Sequence, residues 1–563
     1  MKMMNMILTD QGDIQFTEPA RILGGWTTYF LILLGLGILL LVLRQRSAGR
    51  ERRNFMSGLA LSLLSGLLLT LSFPPFPIGF LAWFALVPVI IAQFYLAQSD
   101  RQARFFQALA IIICLEALFV GAFPPGFPPG SPVPVWLAIS VGVLLVGLFL
   151  YLTGLPGGTL TFHQATNYRF FLLVPPLAWM GWEYMRYLGE LGHIWGMMPI
   201  TQHANLPLVQ LAGLGGMWLV GFLVVLVNYA LGLAAVTWLR AGEGWRSLVP
   251  LRVPLAITVV VVLAAYGLGL VLLGSQPAAV KVAALQPGGD LGEFPAFISN
   301  WARRDWLGLA RAVLAEFEPL SREAAGRGAK LIVWPEATFW VEPQNEPEVR
   351  ARLVRLARET DAYLVVTYFI LPDEAPLHWW LGFHPAQRNE VTVVSPQGEF
   401  LGVSAKDHPI RYIGEVNASE NLGLYPTYET AFGRLATMIG YDNAFTDTAR
   451  YLAQKGAQVL TLSMHDWSEM SHTYSRLIVF RAAENRVGLV RADWRVGSLI
   501  VDPYGRVMAQ APPDRRARVV LVADLPVVEQ SGTLYTRLGD WFALPCLMVA
   551  LALAVYNLYR LAK

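Results

Sequence analysis

Ala329-Lys-Leu-Ile-Val-Trp-Pro-Glu336 is an apolar β-type run halted by Pro335, which leaves the Glu336 carboxylate at the mouth of a sheet. Around it, short β-rich runs alternate with polar helical stretches. Strands are expected at Val280–Leu285, Lys330–Trp334, Tyr363–Phe369, Val391–Ser395, Arg434–Ile439, Gln458–Ser463, Val487–Arg491, Ser498–Asp502 and Val519–Ala523, and helices at Trp301–Gly326, Pro347–Thr360, Thr446–Gln454 and Ser475–Asn485. Tight turns at Ser395-Pro-Gln-Gly398 and Asp502-Pro-Tyr-Gly505 join antiparallel neighbours. Mixed strands with interposed helices imply sheets covered by helices on one face. A segment of about 250 residues is enough for one packed core. Three further stretches bring chemistry to its strand ends: Ser404-Ala-Lys-Asp-His-Pro-Ile-Arg-Tyr-Ile-Gly-Glu415, Leu435-Ala-Thr-Met-Ile-Gly440-Tyr-Asp442 and Val459-Leu-Thr-Leu-Ser-Met-His-Asp-Trp467.

Charge marks the edges of this domain. Residues 278–531 hold 26 Lys+Arg and 30 Asp+Glu of the 83 charges in a 563-residue chain that is 55% hydrophobic and 15% charged. The rest of the chain is too apolar for a soluble globule and excludes disorder, since soluble chains carry about 25% charged residues. A net charge of +3 gives no sign of a nucleic-acid partner. The two cysteines, Cys114 and Cys546, lie in apolar runs, so no CxxC, zinc pattern or disulfide framework is available, and neither metal nor cofactor is expected.

Nine runs approach the roughly 20 residues that a helix needs to cross a bilayer: Gly24–Leu43, Phe55–Ser72, Phe80–Ala97, Phe105–Ala122, Val135–Gly154, Arg169–Leu188, Gly213–Leu239, Pro254–Gly274 and Trp541–Leu561. The first is read as a retained anchor. Arg44-Gln-Arg-Ser-Ala-Gly-Arg-Glu-Arg-Arg53 is basic, as is every second connection after it. The alternate loops Phe73–Gly79, Phe123–Pro134 and Gly189–Ala212 have no Lys or Arg. The positive-inside rule then puts the N-terminus outside, the C-terminus inside and the soluble domain outside. The expected division is 1–53 for the outer tail, first span and basic loop, 54–277 for a seven-span bundle, 278–531 for the soluble domain and 532–563 for the last span. Within the spans, Glu183 and Arg186 share one helix face and are placed to pair, whereas Glu116 has no local partner.

The order of these motifs resembles the carbon–nitrogen hydrolase (nitrilase) superfamily. With its flanking spans the chain resembles the apolipoprotein N-acyltransferase family of bacterial inner-membrane enzymes. The resemblance rests on Leu71-Ser-Phe-Pro-Pro75, Trp182-Glu-Tyr-Met-Arg186, Trp334-Pro-Glu336, Lys406 through Gly414-Glu415, Arg481-Ala-Ala-Glu-Asn485 and Tyr535-Thr-Arg-Leu-Gly-Asp-Trp541. It implies a polytopic helical membrane domain carrying an α-β-β-α sandwich, with the span at Gly24–Leu43 added to the family's eight. It also implies a site in which a glutamate takes a thiol proton, a lysine stabilises thiolate and oxyanion, and the thiolate opens a phospholipid ester to form a thioester. By motif Glu336 matches the base, Lys406 the lysine and Glu415 the supporting glutamate.

The nucleophile does not carry over. The family's Cys-Tyr-Glu reads Gly440-Tyr441-Asp442 here, and its Ser-Asn-Asp-x-Trp-Phe reads Ser463-Met-His-Asp-Trp-Ser468. Glycine cannot attack, the cysteines sit in expected spans, and the nearby hydroxyls Thr437, Thr446 and Ser463 do not follow the strand-to-turn position. The family's acyl transfer is therefore not expected. The retained trio is expected to persist as a salt-linked network. His465, Asp466 and His472 are expected on an outer loop, and Arg486, Arg491 and Arg495 solvated or paired. The expected role is to bind membrane lipid or lipoproteins, or to serve as an accessory subunit of a membrane complex, respiratory or photosynthetic. The alternative is an active N-acyltransferase with a displaced nucleophile or a held water.

Overall fold

The computed structural model describes residues 49–76, 78–122, 135–189, 196–241, 244–274, 278–288, 303–372, 386–411, 415–466, 468–514, 516–529 and 531–563. The chain divides into two compact units. One takes in Val209–Gly216 and Gly269–Gly539. The other takes in the described chain up to Leu208 together with Met217–Leu268 and Asp540–Lys563. The main helices are α1 (Arg50–Ser72), α2 (Asp100–Ala122), α3 (Val135–Thr153), α4 (Val174–Tyr187), α5 (Met217–Ala241), α6 (Arg252–Leu272), α7 (Trp306–Gly326), α8 (Pro347–Thr360), α9 (Asp447–Gln454), α10 (Ser468–Asn485) and α11 (Ala543–Ala562).

Among the described residues six helices are long and apolar enough to cross a bilayer: Arg50–Ser72, Gly79–Leu96, Asp100–Phe119, Met217–Ala241, Arg246–Leu272 and Ala543–Ala562. The expected span Gly24–Leu43 lies outside the described residues. The expected span Arg169–Leu188 is corrected: α4 has 14 residues and starts at Val174. Pro175 and Pro176 fit only a first helical turn, and the chain before them turns through Asn167 and Tyr168 at φ 48° and 56°. Fourteen residues rise about 21 Å, short of a hydrocarbon core of about 30 Å. The expected helix Phe80–Ala97 is also corrected, because it consists of three pieces: Gly79–Trp83, Val87–Ile91 and Ala92–Leu96.

A broken helix in a membrane leaves backbone groups that lipid cannot satisfy. Polar side chains from two neighbours satisfy them. On α5, Asn228 accepts from the Leu86 N–H at 2.8 Å and donates to the Ala82 carbonyl at 2.7 Å. On α1, the Ser65 hydroxyl donates to the Ala85 carbonyl at 2.7 Å and accepts from the Val89 N–H at 2.9 Å. The in-span acids are also bonded. Glu116 accepts from Ser140. Glu183 accepts from the Trp179 indole at 2.8 Å and the Met198 N–H at 2.9 Å, while Arg186 donates to the Gly196 carbonyl at 3.2 Å.

The other unit is built on two six-stranded sheets. The strands are β1 (Ala279–Gln286), β2 (Leu331–Val333), β3 (Tyr363–Ile370), β4 (Arg388–Val394), β5 (Phe400–Ala405), β6 (Tyr428–Thr430), β7 (Gly433–Ile439), β8 (Val459–Met464), β9 (Gly488–Asp493), β10 (Leu499–Val501), β11 (Val507–Gln510) and β12 (Val519–Pro526). One sheet runs β12-β1-β2-β3-β4-β5 and the other β11-β10-β9-β8-β7-β6. In each, three central strands are parallel: β1, β2 and β3 in one, β7, β8 and β9 in the other. Their side chains meet face to face: Val282, Leu331, Val333, Val365 and Val391 pack with Leu435, Ile439, Val459, Val490 and Ile500. Helices α7 and α8 bury Leu309, Val313, Phe317, Leu353 and Leu356 on the outer face of the first sheet. Helices α9 and α10 lie on the second. This is the α-β-β-α sandwich, with helices on the outer face of each sheet. Parallel strands aim their C-terminal ends in one direction, so residues just beyond β2, β7, β8 and β9 converge.

Candidate active site

Pro335 ends β2, and the next residue is pinned from both sides. The Glu336 N–H donates to the Met464 carbonyl at the end of β8 at 3.1 Å. The Trp494 indole, just past β9, donates to the Glu336 carbonyl at 2.6 Å. The Ser463 hydroxyl donates to the Trp334 carbonyl at 2.7 Å, which ties the two sheets beside it. The side chain therefore has one direction available, along the strand ends.

Lys406 follows β5 directly, and its N–H donates to the Asn389 carbonyl on β4 at 2.9 Å. Its ammonium donates to Glu336 Oε1 at 3.1 Å and to both oxygens of Glu415 at 2.8 Å. The Asn389 amide donates to Glu336 at 2.8 Å and to Glu415 at 3.2 Å, and the Ile410 N–H adds a bond to Glu415 at 2.8 Å. Lys406 and Glu415 are each 2% exposed and Glu336 is 7%. Burial alone would push the ammonium down, but the Glu336 and Glu415 charges outweigh it and hold Lys406 above its ordinary value. The structure thus brings three sequence-read positions, Glu336, Lys406 and Glu415, into one hydrogen-bonded cluster. Asn389 and Trp494 were not foreseen. The sequence singles out Asn389 in no way, since it lies between the charged Arg388 and Glu390 at the polar start of β4.

Gly440 stands where β7 turns into a short 3-10 helix, with φ at +50°. A Cβ there would lie 2.5 Å from Glu336 Oε2. The fourth position thus abuts the cluster, and the Glu336 carboxylate occupies the space that a side chain would take. Asp442, two residues on, accepts from the His408 and Ile439 N–H groups at 2.8 and 2.9 Å. Its burial raises the carboxyl to about 7 against the pull of His408 and those bonds. Among the hydroxyls, Thr437 donates to Ser404 at 2.8 Å and Ser463 is committed to Trp334, so neither proton is free. Cys114 and Cys546 are buried on α2 and α11.

The loop expected after β8 is corrected. His465 is half-buried, its ring centroid 6.1 Å from that of Trp494, and it feels both Glu336 and Lys406. Burial holds its imidazole below the ordinary value. Asp466 shares the fully buried Arg491 with Asp493, at 2.7 and 2.8 Å. The reason is that β8 carries its pairing with β9 as far as Met464–Asp493, so the residues beyond Met464 are still inside the lobe. The His472 side chain lies outside the described residues. Arg486 donates to Gln210 at 2.6 Å and covers the Tyr504 ring. Chemically, a buried carboxylate bonded to an ammonium abuts a left-handed turn at Gly440, a pairing able to accept a proton and to stabilise a developing anion.

The carbon-nitrogen hydrolase model matches residues 281–531. The two sheets, their outer helices and the carboxylate–ammonium cluster at the strand ends thus make up a domain of the carbon–nitrogen hydrolase type. The model of the apolipoprotein N-acyltransferase N-terminal domain matches residues 65–230. The chain belongs to the apolipoprotein N-acyltransferase family. It is 27% identical to the apolipoprotein N-acyltransferase of Geobacter metallireducens, over 90% of this chain and 96% of that one. It is 29% identical to that of Gloeobacter violaceus, over 89% and 94%. Among solved structures, an amidase from Nesterenkonia sp. matches at 20% identity and a TM-score of 0.34, covering 45% of this chain and 93% of that one.

Proposed function

We propose that this chain is a member of its family that forms no acyl-enzyme and serves by binding. The ligands would be membrane lipid and lipoproteins, or other subunits of a membrane complex that the chain joins as an accessory part. In this reading residues 278–531 form the working domain on the extracytoplasmic side of the inner membrane. The N-terminus lies outside and the C-terminus inside. Glu336, Lys406 and Glu415 keep the family's base, lysine and supporting glutamate positions, and Gly440 the emptied nucleophile position. One observation carries it: position 440 has no side chain, and the base rests in the space a thiol would fill. An ester opened by a thiolate needs that sulfur within bonding reach of the carbonyl.

The test is expression in a host depleted of its own N-acyltransferase, followed by mass spectrometry of lipoprotein N-terminal peptides. The expected peptides stay diacylated. A triacylated product that disappears in the Glu336→Gln variant would overturn the reading. Purification from native membranes checks the accessory role, which predicts a stoichiometric companion.

His465 favours a second reading. A neutral imidazole near Glu336 and Lys406 is a base for water or an amine, which would open the ester directly without a thioester. In the same assay this reading predicts product that is lost in both Glu336→Gln and His465→Asn.

A further inference from the structure

The loop beyond Lys406 and the start of α9 carry a second cluster that the site above does not use. His408 Nε2 lies 2.9 Å from Asp447 Oδ1 and 3.5 Å from Asp407 Oδ2. The three ligand-type atoms are all within 4.8 Å of one another. We propose that Asp407, His408 and Asp447 form a binding site for one divalent transition ion of the zinc or cobalt class, which clamps the Lys406 loop to α9.

Four features support it. First, the imidazole is fixed from outside the cluster. Its ring stacks on Phe445 with centroids 3.7 Å apart and planes at 11°, and its backbone N–H is held by Asp442. Such an arrangement aims Nε2 at one point between the two carboxylates. Second, outer partners orient Asp407: its Oδ2 accepts from the Tyr425 hydroxyl at 2.6 Å and the Thr448 hydroxyl at 2.8 Å. Metal ligands are commonly held by outer hydrogen bonds of this kind. Third, two carboxylates, Asp407 and Asp447, approach one imidazole nitrogen, and a divalent cation between them would offset both charges. Fourth, the side chains of Asp407, His408 and Asp447 are 13%, 23% and 31% exposed, so an ion and its remaining waters can reach them.

The donor set selects the ion. One imidazole with two carboxylates suits zinc and its neighbours, at bonds of roughly 2.0–2.2 Å, better than magnesium or calcium, which prefer all-oxygen shells. Binding replaces the proton on His408 Nε2, so one proton leaves per ion bound. The sequence conceals the site because two ligands are adjacent and the third is 39 residues away, a spacing that matches no familiar motif.

The test uses the full-length protein in detergent, stripped with chelator and titrated with Co2+. The expected result is visible absorption that saturates near one ion per chain and is bleached by Zn2+. Asp447→Asn, close in shape, and His408→Gln should each weaken the metal by at least about 100-fold. Gel filtration and circular dichroism report whether the variants remain folded. His465→Asn should bind as the parent does. A featureless titration of the parent, or equal binding in a folded Asp447→Asn variant, would overturn the site and leave a plain hydrogen-bonded network.

Discussion

Lys406 is the residue on which the site's electrostatics turn. Its ammonium is the only cation bonded to Glu336 and Glu415 among the described residues. Removing one partner of a buried ion cluster strands the rest, so Lys406→Met should destabilise the protein by about 3–5 kcal/mol. The double variant with Glu415→Gln should lose less than the sum of the singles. Thermal unfolding followed by tryptophan fluorescence measures both. Gly440→Cys restores a side chain at φ +50°, a conformation costing about 1–3 kcal/mol outside glycine. The atom it meets is the far end of the flexible Glu336, which can swing aside. Its thiol, beside the Glu336 carboxylate that Lys406 holds, should alkylate near neutral pH much faster than buried Cys114 and Cys546, and Lys406→Met should abolish that advantage. A different pH response belongs to Asp466 and Asp493. Burial raises both carboxyls, against the pull of the shared Arg491. The folded state therefore keeps protons that the unfolded chain sheds near pH 3.9. Stability falls as pH rises from there through neutrality, and Asp493→Asn should flatten the melting-temperature profile between about pH 6 and 8.

At the scale of elements, the strands that a reader could find are the buried, β-branched ones. Pro347–Thr360 is found at its stated bounds, since proline at the first position and an amphipathic stripe fix both ends. The strands β5, β6 and β11 carried too little signal. β5 contains Gly402, β6 has three residues, and β11 is an edge strand with mostly exposed side chains. Hydropathy located most spans but not the breaks within them, because a broken helix is as apolar as a whole one. The breaks depend on distant hydroxyl and amide groups such as Ser65 and Asn228. Glu336 was legible because Pro335 ends its strand, whereas Lys406 and Glu415 were legible only through the family motif, since neither follows a strand that the sequence revealed. The partner role of Asn389 and the burial of His465 and Asp466 were not legible, because each depends on strand ends that meet only in the fold, Asn389 reaching Glu336 across 53 residues and Asp466 reaching Arg491 across 25. One packing contact is sharply testable. Gly181 on α4 presses against α11, where an added Cβ would run into the Cys546 carbonyl. Gly181→Leu should abolish recovery of folded protein, and Gly181→Ala should lower its melting temperature in detergent.

For the whole molecule, the family matches cover both the apolar part and the sandwich lobe, and the departures read from the sequence lie at Gly440–Asp442 and Ser463–Ser468. Under the proposed reading, a scaffold that keeps the Glu336–Lys406–Glu415 cluster and has glycine at position 440 holds a ligand without cutting it. Intact-protein mass spectrometry after incubation with phospholipid at membrane density tests this most directly. The expected spectrum has a single peak at the mass of the unmodified chain, and no fatty-acyl adduct sensitive to hydroxylamine. A stoichiometric acyl adduct mapped to any side chain of residues 278–531 would contradict it.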